Sequence, residues 1–405
     1  MTEPRRIAVL KFGGTSVASP EQRALAIRRV SDARENGFAV VVVVSAMGRA
    51  PEPYATDTLL ALAGNVGAAD SDVLLACGEL IAAAVFAGEL NRENIFARAL
   101  SGEHAGIVTN AVYGDASILR VDTDRLHSLL QSGIVPVVAG FQGATGDGEI
   151  TTLGRGGTDL SAIAIGHALC AERIDIYTDV SGVMTADPRR IEEARAIERA
   201  SFEEMAELAE HGAKVMHQKA AAYAQDRNVP YAVKGLSTDA GTIVDFAREP
   251  HRPVTGVTAT GRLTWVRAIR GDIESPTQRM QTELEMFRRL AEADVSIDQV
   301  SINQAGVAFA VLGDRANDVR RMLGDLNLAI RVREGCSKLS IVGAGMRGTP
   351  GVVHQIVAAL SRANVEIIHA TDSNITVSVL VPETDVTRAE AAVHDHFQLG
   401  GERAQ

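Results

Sequence analysis

Short runs of Val and Ile alternate with Ala- and Leu-rich stretches of helical period from the N-terminus to about Phe246. The runs predict strands at Ile7–Leu10, Phe38–Val44, Ile134–Ala139, Ile174–Thr178 and Pro230–Val233. The stretches between them predict helices, among them Glu21–Asn36, Val73–Leu90 and Asp159–Ala171. Continuous apolar strands separated by helices are typical of a mostly parallel sheet that is covered on both faces. Because ligands bind beyond the carboxyl ends of such strands, we expect the chemistry in the turns that follow them.

The pattern changes near residue 250, where the polar, proline-containing segment Arg248–Pro253 predicts a boundary. Beyond it, the order strand, helix, strand, strand occurs twice, and the helix-to-strand steps Leu290–Ile297 and Leu360–Ile367 resemble each other. This repeat predicts two tandem α+β modules, each with a four-stranded antiparallel sheet. The exposed edges of such sheets predict pairing between modules or chains, and hence a homodimer or a higher homo-oligomer.

The composition is that of a soluble globular protein. The chain has 405 residues, of which 46% are hydrophobic and 22% charged, so more than one domain is expected. A net charge of −11 argues against a nucleic-acid surface. The longest apolar run, Phe38–Val44, is too short to cross a membrane, and no export signal is visible, so we expect a cytoplasmic protein. Cys77, Cys170 and Cys336 are widely spaced and predict buried reduced thiols rather than a disulfide framework or a metal cluster.

A glycine-rich polar turn, Gly154-Arg-Gly-Gly-Thr-Asp159, leads directly into an apolar, Ala-rich helix. Its glycines let backbone N–H groups approach an anion closely, and the helix N-terminus that follows favours negative charge. Arg155 supplies a planar fork suited to a carboxylate or a phosphate, and Asp159 can orient a cation or a lysine. The alternative interpretation is a surface loop that ends in a helix cap.

A second glycine turn, Lys11-Phe-Gly-Gly-Thr-Ser16, follows the first predicted strand. Gly13 and Gly14 permit close backbone approach, and Thr15 and Ser16 can donate hydroxyl groups. Lys11 adds a point charge suited to phosphate, but it precedes the glycines, so the segment is not a Walker A loop. The alternative is an ordinary strand-to-helix turn with an incidental lysine.

Three further polar residues stand in or beside apolar segments. Ser45 lies in a small-residue turn after the second predicted strand, and Thr56 stands at the head of an apolar helix, which it could simply cap. Glu79 places a carboxylate inside an otherwise apolar helix, which is costly unless the charge has a partner or binds a ligand ammonium. Structural and functional interpretations both stay open for Glu79.

Polar and cationic residues also follow the fourth predicted strand. Thr178 and Asp179 end that strand, Asp187 begins a turn, and Arg189 adds cationic reach. Lys214 stands at the end of an acidic helix, where its alternative role is to complement the helix C-terminus. Lysines, an arginine and several glycine turns in an otherwise acidic protein favour a polyphosphate site.

Together these motifs resemble those of the aspartate kinases, and they occur in the order seen in that family. The matching kinase segments are Lys11–Ser16, Gly140–Gly143, Gly154–Asp159, Thr178–Val183, Thr185–Arg189 and Gly212–Val215. Val342–Val352 and Asp372–Asn374 resemble the second of the two ACT domains that follow the kinase domain in the family. Met47–Asp57 is similar to one subgroup of single-function bacterial enzymes.

The resemblance implies an α/β amino-acid-kinase fold with a mostly parallel central sheet, followed by two tandem ferredoxin-like α+β ACT modules. The implied boundaries are a catalytic domain at 1–248, a linker at 249–262, and ACT domains at 263–334 and 335–405, with the C-terminal tail packed on the first of them. The implied reaction transfers the γ-phosphoryl group of ATP, with Mg²⁺, to the side-chain carboxylate of L-aspartate. The product, 4-phospho-L-aspartate, enters the pathway to lysine, threonine, methionine and diaminopimelate, so feedback by lysine, threonine or diaminopimelate is expected.

The resemblance also implies a role for each matched residue. Lys11 would stabilise charge on the transferring phosphoryl group, and Asp159 would orient the active-site lysines. The implied aspartate-binding residues are Ser45, Thr56, Glu79 for the ammonium and Arg155 for the α-carboxylate. The implied nucleotide-binding residues are Lys11, Gly13, Gly14, Thr15, Ser16, Thr178, Asp179, Asp187, Arg189 and Lys214. The effector candidates are Met346, Gly351, Val352, Asp372 and Asn374, and no separate protein metal site is expected.

Two segments depart from the family pattern. Gln218-Lys219 replaces the usual Pro-Arg and is expected near the nucleotide rim, and Lys234-Gly235-Leu236 replaces a common Arg-Ser run and is expected at the base of the linker. The first ACT module lacks the usual Pro-Gly turn around Glu274–Arg279, which weakens its claim to bind an effector.

Two other functions stay open beside the aspartate kinase. One is a kinase of a related acidic amino acid in a specialised pathway, and the other is a non-catalytic sensor subunit that keeps the ACT modules. The joint presence of Lys11, Glu79, Arg155 and Asp159 argues against the sensor, which has no need of all four.

Overall fold

The computed structural model describes residues 6–212, 216–246, 253–270, 275–326, 328–346 and 348–401. The chain forms two compact units. The first consists of Met1–Val183 and Ala196–Glu249, and the second of Met184–Arg195 and Pro250–Gln405. The short segment 184–195 therefore belongs with the second unit, although the chain on both sides of it belongs to the first.

The first unit is built on a mostly parallel sheet. Its described strands are β1 (Ile7–Phe12), β2 (Ala39–Val44), β3 (Ala97–Leu100), β4 (Ile107–Thr109), β5 (Ile118–Val121), β6 (Val135–Ala139), β7 (Gln142–Ala144), β8 (Ile150–Thr152), β9 (Arg173–Thr178), β10 (Arg199–Ser201), β11 (Tyr231–Gly235) and β12 (Gly241–Asp245). Its described helices are α1 (Pro20–Glu35), α2 (Thr56–Ala63), α3 (Ala68–Arg92), α4 (Asp124–Gln131), α5 (Gly157–Ala168), α6 (Phe202–Glu210) and α7 (Gln218–Arg227). The main sheet has the order β10-β12-β11-β9-β1-β2-β6-β3, and its pairs are parallel except for β11 with β12. The predicted α/β fold is confirmed.

Strand β2 shows why the Val-rich runs form the centre of this sheet. Val40–Val44 is buried along its whole length, because β1 and β6 flank it and helices cover the sheet. Phe12 at the end of β1 pairs in register with Val44 on one side and Tyr177 on the other. The carboxyl ends of β2, β1 and β9 therefore meet at one edge, with the end of β11 next to β9.

Helix α3 packs against β8, which belongs to a smaller sheet of order β5-β4-β7-β8. The helix is long and apolar enough to cross a membrane, but half of its apolar window is buried inside the unit. Asp72 and Glu79, both on this helix, are also buried. Helix α3 therefore packs in the first unit, with its buried residues facing β3, β6 and β8.

The second unit contains one antiparallel sheet covered by helices. Its described strands are β13 (Gly256–Arg270), β14 (Ile297–Asn303), β15 (Gly306–Leu312), β16 (Leu328–Val342), β17 (His369–Asp372) and β18 (Thr376–Pro382). Its described helices are α8 (Pro276–Glu292), α9 (Ala316–Leu323), α10 (Val352–Arg362) and α11 (Val386–His396). The order is β14-β15-β13-β16-β18-β17.

The two predicted modules share this sheet instead of forming separate ones. Strands β13 and β16 are each 15 residues long and pair with each other from Gly256↔Val342 to Arg270↔Leu328, through a bulge. Each module does contain four adjacent strands, but two of these strands run through both modules. The prediction of two separate four-stranded sheets is corrected on this point.

Two predicted segment assignments also differ from the structure. The predicted linker at 249–262 is too long, because β13 begins at Gly256 and Val257 is buried in the core of the second module. The prediction that the C-terminal tail packs on the first ACT domain is wrong, because Val386 and Val393 of α11 pack in the same core as Ile356 of α10. The other domain boundaries stay predictions.

Candidate active site

Lys11 and Asp159 form a buried ion pair at the carboxyl end of β1. Each residue is 8% exposed, and Nζ of Lys11 lies 2.6 Å from Oδ1 of Asp159. Asp159 stands in the first turn of α5, whose N-terminus favours an anion. The aspartate thus holds the ammonium at the edge of the sheet where the strand-end turns meet.

The turn after β1 depends on Gly13 and Gly14 for its close contacts. A Cβ at Gly13 would lie 3.5 Å from Nζ of Lys11, and a Cβ at Gly14 would lie only 2.6 Å from the carbonyl oxygen of Ala46. The backbone N–H of Gly48 donates to the carbonyl oxygen of Gly14 at 3.1 Å. A side chain at Gly14 would therefore push apart the turns that follow β1 and β2.

A cavity of about 260 Å³ opens beside this turn. Four of the predicted nucleotide residues line it, and six further residues complete the lining: Thr15, Ser16, Thr178 and Asp179, with Gln22, Val180, Ser181, Gly235, Leu236 and Ser237. The Thr178 hydroxyl donates to Oδ1 of Asp179 at 3.0 Å, and Nη2 of Arg49 donates to Oδ2 of the same carboxylate at 3.1 Å. Gln22, Ser181 and Ser237 were not predicted as site residues, although the two serines follow the neighbouring strands β9 and β11.

Glu79 is buried in α3, and one of its two carboxylate oxygens has no described hydrogen-bond partner. The residue is 2% exposed, the N–H of Ala46 donates to Oε1 at 3.0 Å, and Oε2 has no hydrogen-bond partner among the described residues. Burial raises the pKa of Glu79 to about 8. A buried carboxyl group with an unused oxygen is suited to receive a ligand ammonium.

The predicted aspartate residues Ser45 and Thr56 belong to segments that contact α3 close to Glu79. Ser45 precedes Ala46, whose N–H binds Glu79. Thr56 begins α2, and the carbonyl oxygen of Tyr54 would lie 2.9 Å from a Cβ at Gly78. Gly78 therefore lets the chain before α2 approach the helix one residue before the buried carboxylate.

Arg155 is exposed at the tip of the turn between β8 and α5. Gly154 and Gly156 flank it with φ values of 73° and 71°, in the left-handed region that favours glycine. A Cβ at Gly156 would lie 2.0 Å from Cβ of His217, so the histidine packs directly on the turn, and burial lowers the pKa of His217. The turn is held in place while the guanidinium stays accessible to an anion.

Two predicted nucleotide residues, Asp187 and Arg189, lie in the segment Met184–Arg195 of the second unit. Their side chains bind each other, with Nη2 of Arg189 2.7 Å from Oδ2 of Asp187, and this arginine lowers the pKa of Asp187. Neither residue is among those that line the cavity beside the turn after β1. Lys214 lies outside the described residues.

The departure at Gln218-Lys219 lies beside the Arg155 turn. Lys219 pairs with Asp115 and donates to the carbonyl oxygen of Leu153 at 3.4 Å. The start of α7 thus contacts the chain on the N-terminal side of Arg155, and the position of this departure near the nucleotide rim stays a prediction.

The departure at Lys234-Gly235-Leu236 lies in the first unit and not at the base of the linker. Nζ of Lys234 lies 3.1 Å from the buried carboxylate of Asp175, on the neighbouring strand β9. Gly235 and Leu236 line the cavity beside the turn after β1. This departure therefore falls at the predicted nucleotide site, because β11 ends beside β9.

The effector candidates divide into buried and exposed residues. Met346 and Val352 are 9% and 3% exposed and pack in the core of the second module, so their side chains fill the core. Gly351 precedes α10 with a φ of 90°. Asp372 and Asn374 are exposed at the turn between β17 and β18. The N–H of Gly343 joins this turn to the loop before α10 by donating to the Ile375 carbonyl oxygen at 2.9 Å.

Comparison with known families gives two matches along the chain. Residues 6–235 match the amino acid kinase family, and residues 339–397 match the ACT domain. Aspartokinase 1 of Bacillus subtilis strain 168 is 39% identical over 406 residues, which cover 97% of this chain and 99% of that relative.

Two solved structures are similar along almost the whole chain. One is E. coli aspartokinase III in complex with aspartate and ADP in the R-state, with a TM-score of 0.77 and 25% identity. The other is the same enzyme in complex with lysine and aspartate in the T-state, with a TM-score of 0.76 and 25% identity. Each match covers 96% of this chain and 99% of the E. coli chain.

Proposed function

The chain belongs to the aspartokinases, within the amino acid kinase family, and from this premise we propose how its residues phosphorylate L-aspartate with ATP. A side-chain carboxylate oxygen of aspartate attacks the γ-phosphorus, the bond from that phosphorus to the β,γ-bridging oxygen breaks, and ADP leaves. The buried Lys11–Asp159 pair carries the proposal, because it holds an ammonium beside the nucleotide cavity at the edge where the strand-end turns meet.

Catalysis of this transfer rests on electrostatics and alignment. The attacking carboxylate is already ionised near neutral pH, so no general base is needed and no proton changes place. The obstacle is the repulsion between an anionic acceptor and the phosphates. Lys11 reduces that repulsion from a fixed position, and the N-terminus of α5 adds a favourable dipole.

The two ends of the amino-acid group of aspartate would be held by opposite charges. Glu79 offers its unpartnered Oε2 to the ammonium, and Arg155 offers a planar fork to the α-carboxylate. Ser45 and Thr56 would add hydroxyl groups from the segments next to Glu79. The structure of E. coli aspartokinase III in complex with aspartate and ADP supports this assignment.

ATP would occupy the cavity between the turns after β1, β9 and β11, with Thr15, Ser16 and Thr178 as hydroxyl donors. Mg²⁺ bound to the phosphates would neutralise part of their charge. Mg²⁺ usually keeps several water ligands and binds through substrate phosphates, so the phosphates of ATP would hold most of the ion.

The Lys11→Ala variant tests the catalytic role directly. We expect kcat to fall by at least about a hundredfold, because a fixed charge aimed at the transferring group is lost. The matched control is Lys338→Met, which removes a buried lysine paired with Asp298 in the second unit and should leave kcat unchanged in the absence of effector. Turnover of Lys11→Ala at the wild-type rate, in protein with the wild-type circular dichroism spectrum, would exclude Lys11 from this role.

The exposed Asp372 and Asn374, next to the loop before α10, support a feedback site in the second unit. The lysine-bound T-state of the E. coli enzyme supports an amino-acid effector. Kinase assays with lysine, threonine and diaminopimelate, singly and in pairs, would identify the effector. The same assay with other acidic amino acids in place of aspartate would separate an aspartate kinase from a kinase of a related substrate.

A further inference from the structure

Asp72 is a buried carboxylate that the proposed reaction does not use. It lies on α3 and is 1% exposed. Its described hydrogen bonds come from neutral groups: the Gly114 N–H at 3.0 Å, and the N–H and hydroxyl of Thr152 at 2.7 Å each. Burying a carboxylate is costly, and the several hydrogen bonds donated to Asp72 offset that cost.

These donors belong to two segments that meet beside Arg155. Thr152 ends β8, and Gly154 and Arg155 follow within three residues. A Cβ at Gly154 would lie 2.4 Å from Oδ1 of Asp115 and 3.2 Å from the carbonyl oxygen of Gly114, so the two segments are in direct contact. Asp72 thus fixes both the strand that leads into the Arg155 turn and the loop that packs against it.

The same helix carries Glu79. Glu79 follows Asp72 by seven positions, which is about two helical turns and places both side chains on one face of α3. A rigid helix therefore holds the carboxyl group proposed to bind the ammonium and also anchors the turn proposed to bind the α-carboxylate.

We propose that Asp72 is a positioning residue for aspartate, which sets the Arg155 turn at the distance from Glu79 that the substrate requires. The proposal rests on the proposed function of Glu79 and Arg155. The ammonium and α-carboxylate of an amino acid are bonded to one carbon, so both contacts form only when the two protein groups are correctly spaced. A misplacement of about 1 Å can cost about a hundredfold in rate, so an anchor in the core can control substrate binding.

The test compares Asp72→Ala with Asp72→Asn. Alanine removes every acceptor, and we expect KM for aspartate to rise by about tenfold or more while KM for ATP stays within about twofold. Asparagine can accept the backbone N–H groups of Thr152 and Gly114 on its carbonyl oxygen and donate its amide to the Thr152 hydroxyl. We therefore expect Asp72→Asn to restore KM for aspartate to within about threefold of wild type.

Two threonine variants separate positioning from general stability, also where Asp72→Ala fails to fold. Thr152→Val removes only the hydroxyl bond to Asp72 and should raise KM for aspartate by about threefold. The control is Thr151→Val, one residue before Thr152, which removes the buried hydroxyl contact between Thr151 and Thr109. It should lower the unfolding temperature without changing KM for aspartate.

The proposal is overturned if Asp72→Ala or Thr152→Val lowers kcat and thermal stability with both KM values unchanged, or if Asp72→Asn is as impaired as Asp72→Ala. The first result would assign Asp72 to folding alone, and the second would assign it a charge that acts directly. Failure of the proposed function is a different result, because wild-type protein would then not phosphorylate aspartate at all.

Discussion

At the scale of single residues, the site depends on charges that the fold holds in costly surroundings. Glu79 is the clearest case, because its carboxyl group is buried, its Oε2 has no described partner, and burial raises its pKa to about 8. Without ligand the group is therefore mostly neutral at pH 7. A bound ammonium favours the ionised form and lowers the pKa of Glu79 again.

This environment predicts a pH dependence for aspartate binding. Because the pKa of Glu79 is raised to about 8, its ionised fraction in the free enzyme grows about tenfold per pH unit below that value. We expect KM for aspartate to fall as the pH rises from about 6 to 8, with a smaller change in KM for ATP. Glu79→Gln should raise KM and remove the slope. An equal slope in the Gln variant, measured by initial rates, would assign the titration to another group.

A substitution at Arg155 can test whether aspartate binding needs the planar shape of the guanidinium or only its positive charge. Arg155→Lys keeps the positive charge but loses the planar fork, so KM for aspartate should rise by about tenfold or more. Arg120→Lys is the matched control, since Arg120 is an exposed arginine of the same unit, 3.9 Å from Asp122. Equal kinetics for Arg155→Lys and wild type would show that a single point charge is sufficient at this position.

At the scale of elements, the segment Met184–Arg195 links the two units through the chain itself. It follows Thr178–Ser181, which lines the cavity of the first unit, and contacts α11 of the second unit, to which it belongs. The Thr185 hydroxyl lies 3.0 Å from Nε2 of His394, and Nη1 of Arg190 lies 3.4 Å from the buried Glu390. Burial lowers the pKa of His394 and raises that of Glu390.

These opposite shifts predict how the second unit responds to acid. A histidine whose folded pKa is lowered stabilises the fold above its unfolded pKa of about 6.5, and that stability is lost as the pH falls below it. Glu390, whose pKa is raised, contributes in the other direction, because its stabilisation is lost as the pH rises above about 4.5. Calorimetry between about pH 5.5 and 7.5 should show that acidification lowers the unfolding temperature of wild type more, or raises it less, than that of His394→Gln, because the variant lacks the histidine contribution. His104→Gln, at an exposed histidine of the first unit, is the control, and equal slopes in both variants would contradict the prediction.

The main strands could be predicted from sequence because their apolar runs are local signals. The Val-rich run of β2 is buried on both faces, and the five predicted strands of the first unit differ from β1, β2, β6, β9 and β11 only at their ends, whereas the shorter strands were not predicted. The shared strands β13 and β16 could not be predicted in this way. Their long register is a pairing between residues about 60 to 90 positions apart, and a repeat in sequence suggests separate modules instead.

Some residues of the candidate site could likewise be predicted from local sequence motifs, and others could not. Glycine motifs mark Lys11 and Asp159, and the structure does place those two side chains in contact. Asp187 looks equivalent to its neighbours in the sequence, but its segment packs with the other unit. Asp72 carries no motif at all, because its role depends on which distant N–H groups the fold brings to it.

At the scale of the whole molecule, the second unit presents apolar surface suited to a partner copy. On its first module, Met280 and Leu284 of α8 are 70% and 71% exposed, and Ile302 of β14 is 56% exposed. Strand β14 also stands at one end of the sheet order. Exposed apolar side chains on a strand at the end of a sheet favour association between chains.

We therefore expect a homo-oligomer formed through the second unit, which Ile302→Lys should weaken. A lysine on an edge strand opposes pairing, because its charge would be desolvated at the interface. Light scattering after size exclusion should show a smaller assembly, with kinase activity kept and inhibition by the effector reduced. Leu119→Lys is the matched control, since Leu119 is 64% exposed on β5, an edge strand of the first unit. If the Ile302 variant keeps the wild-type mass while the Leu119 variant dissociates, the contact between chains lies on the first unit instead.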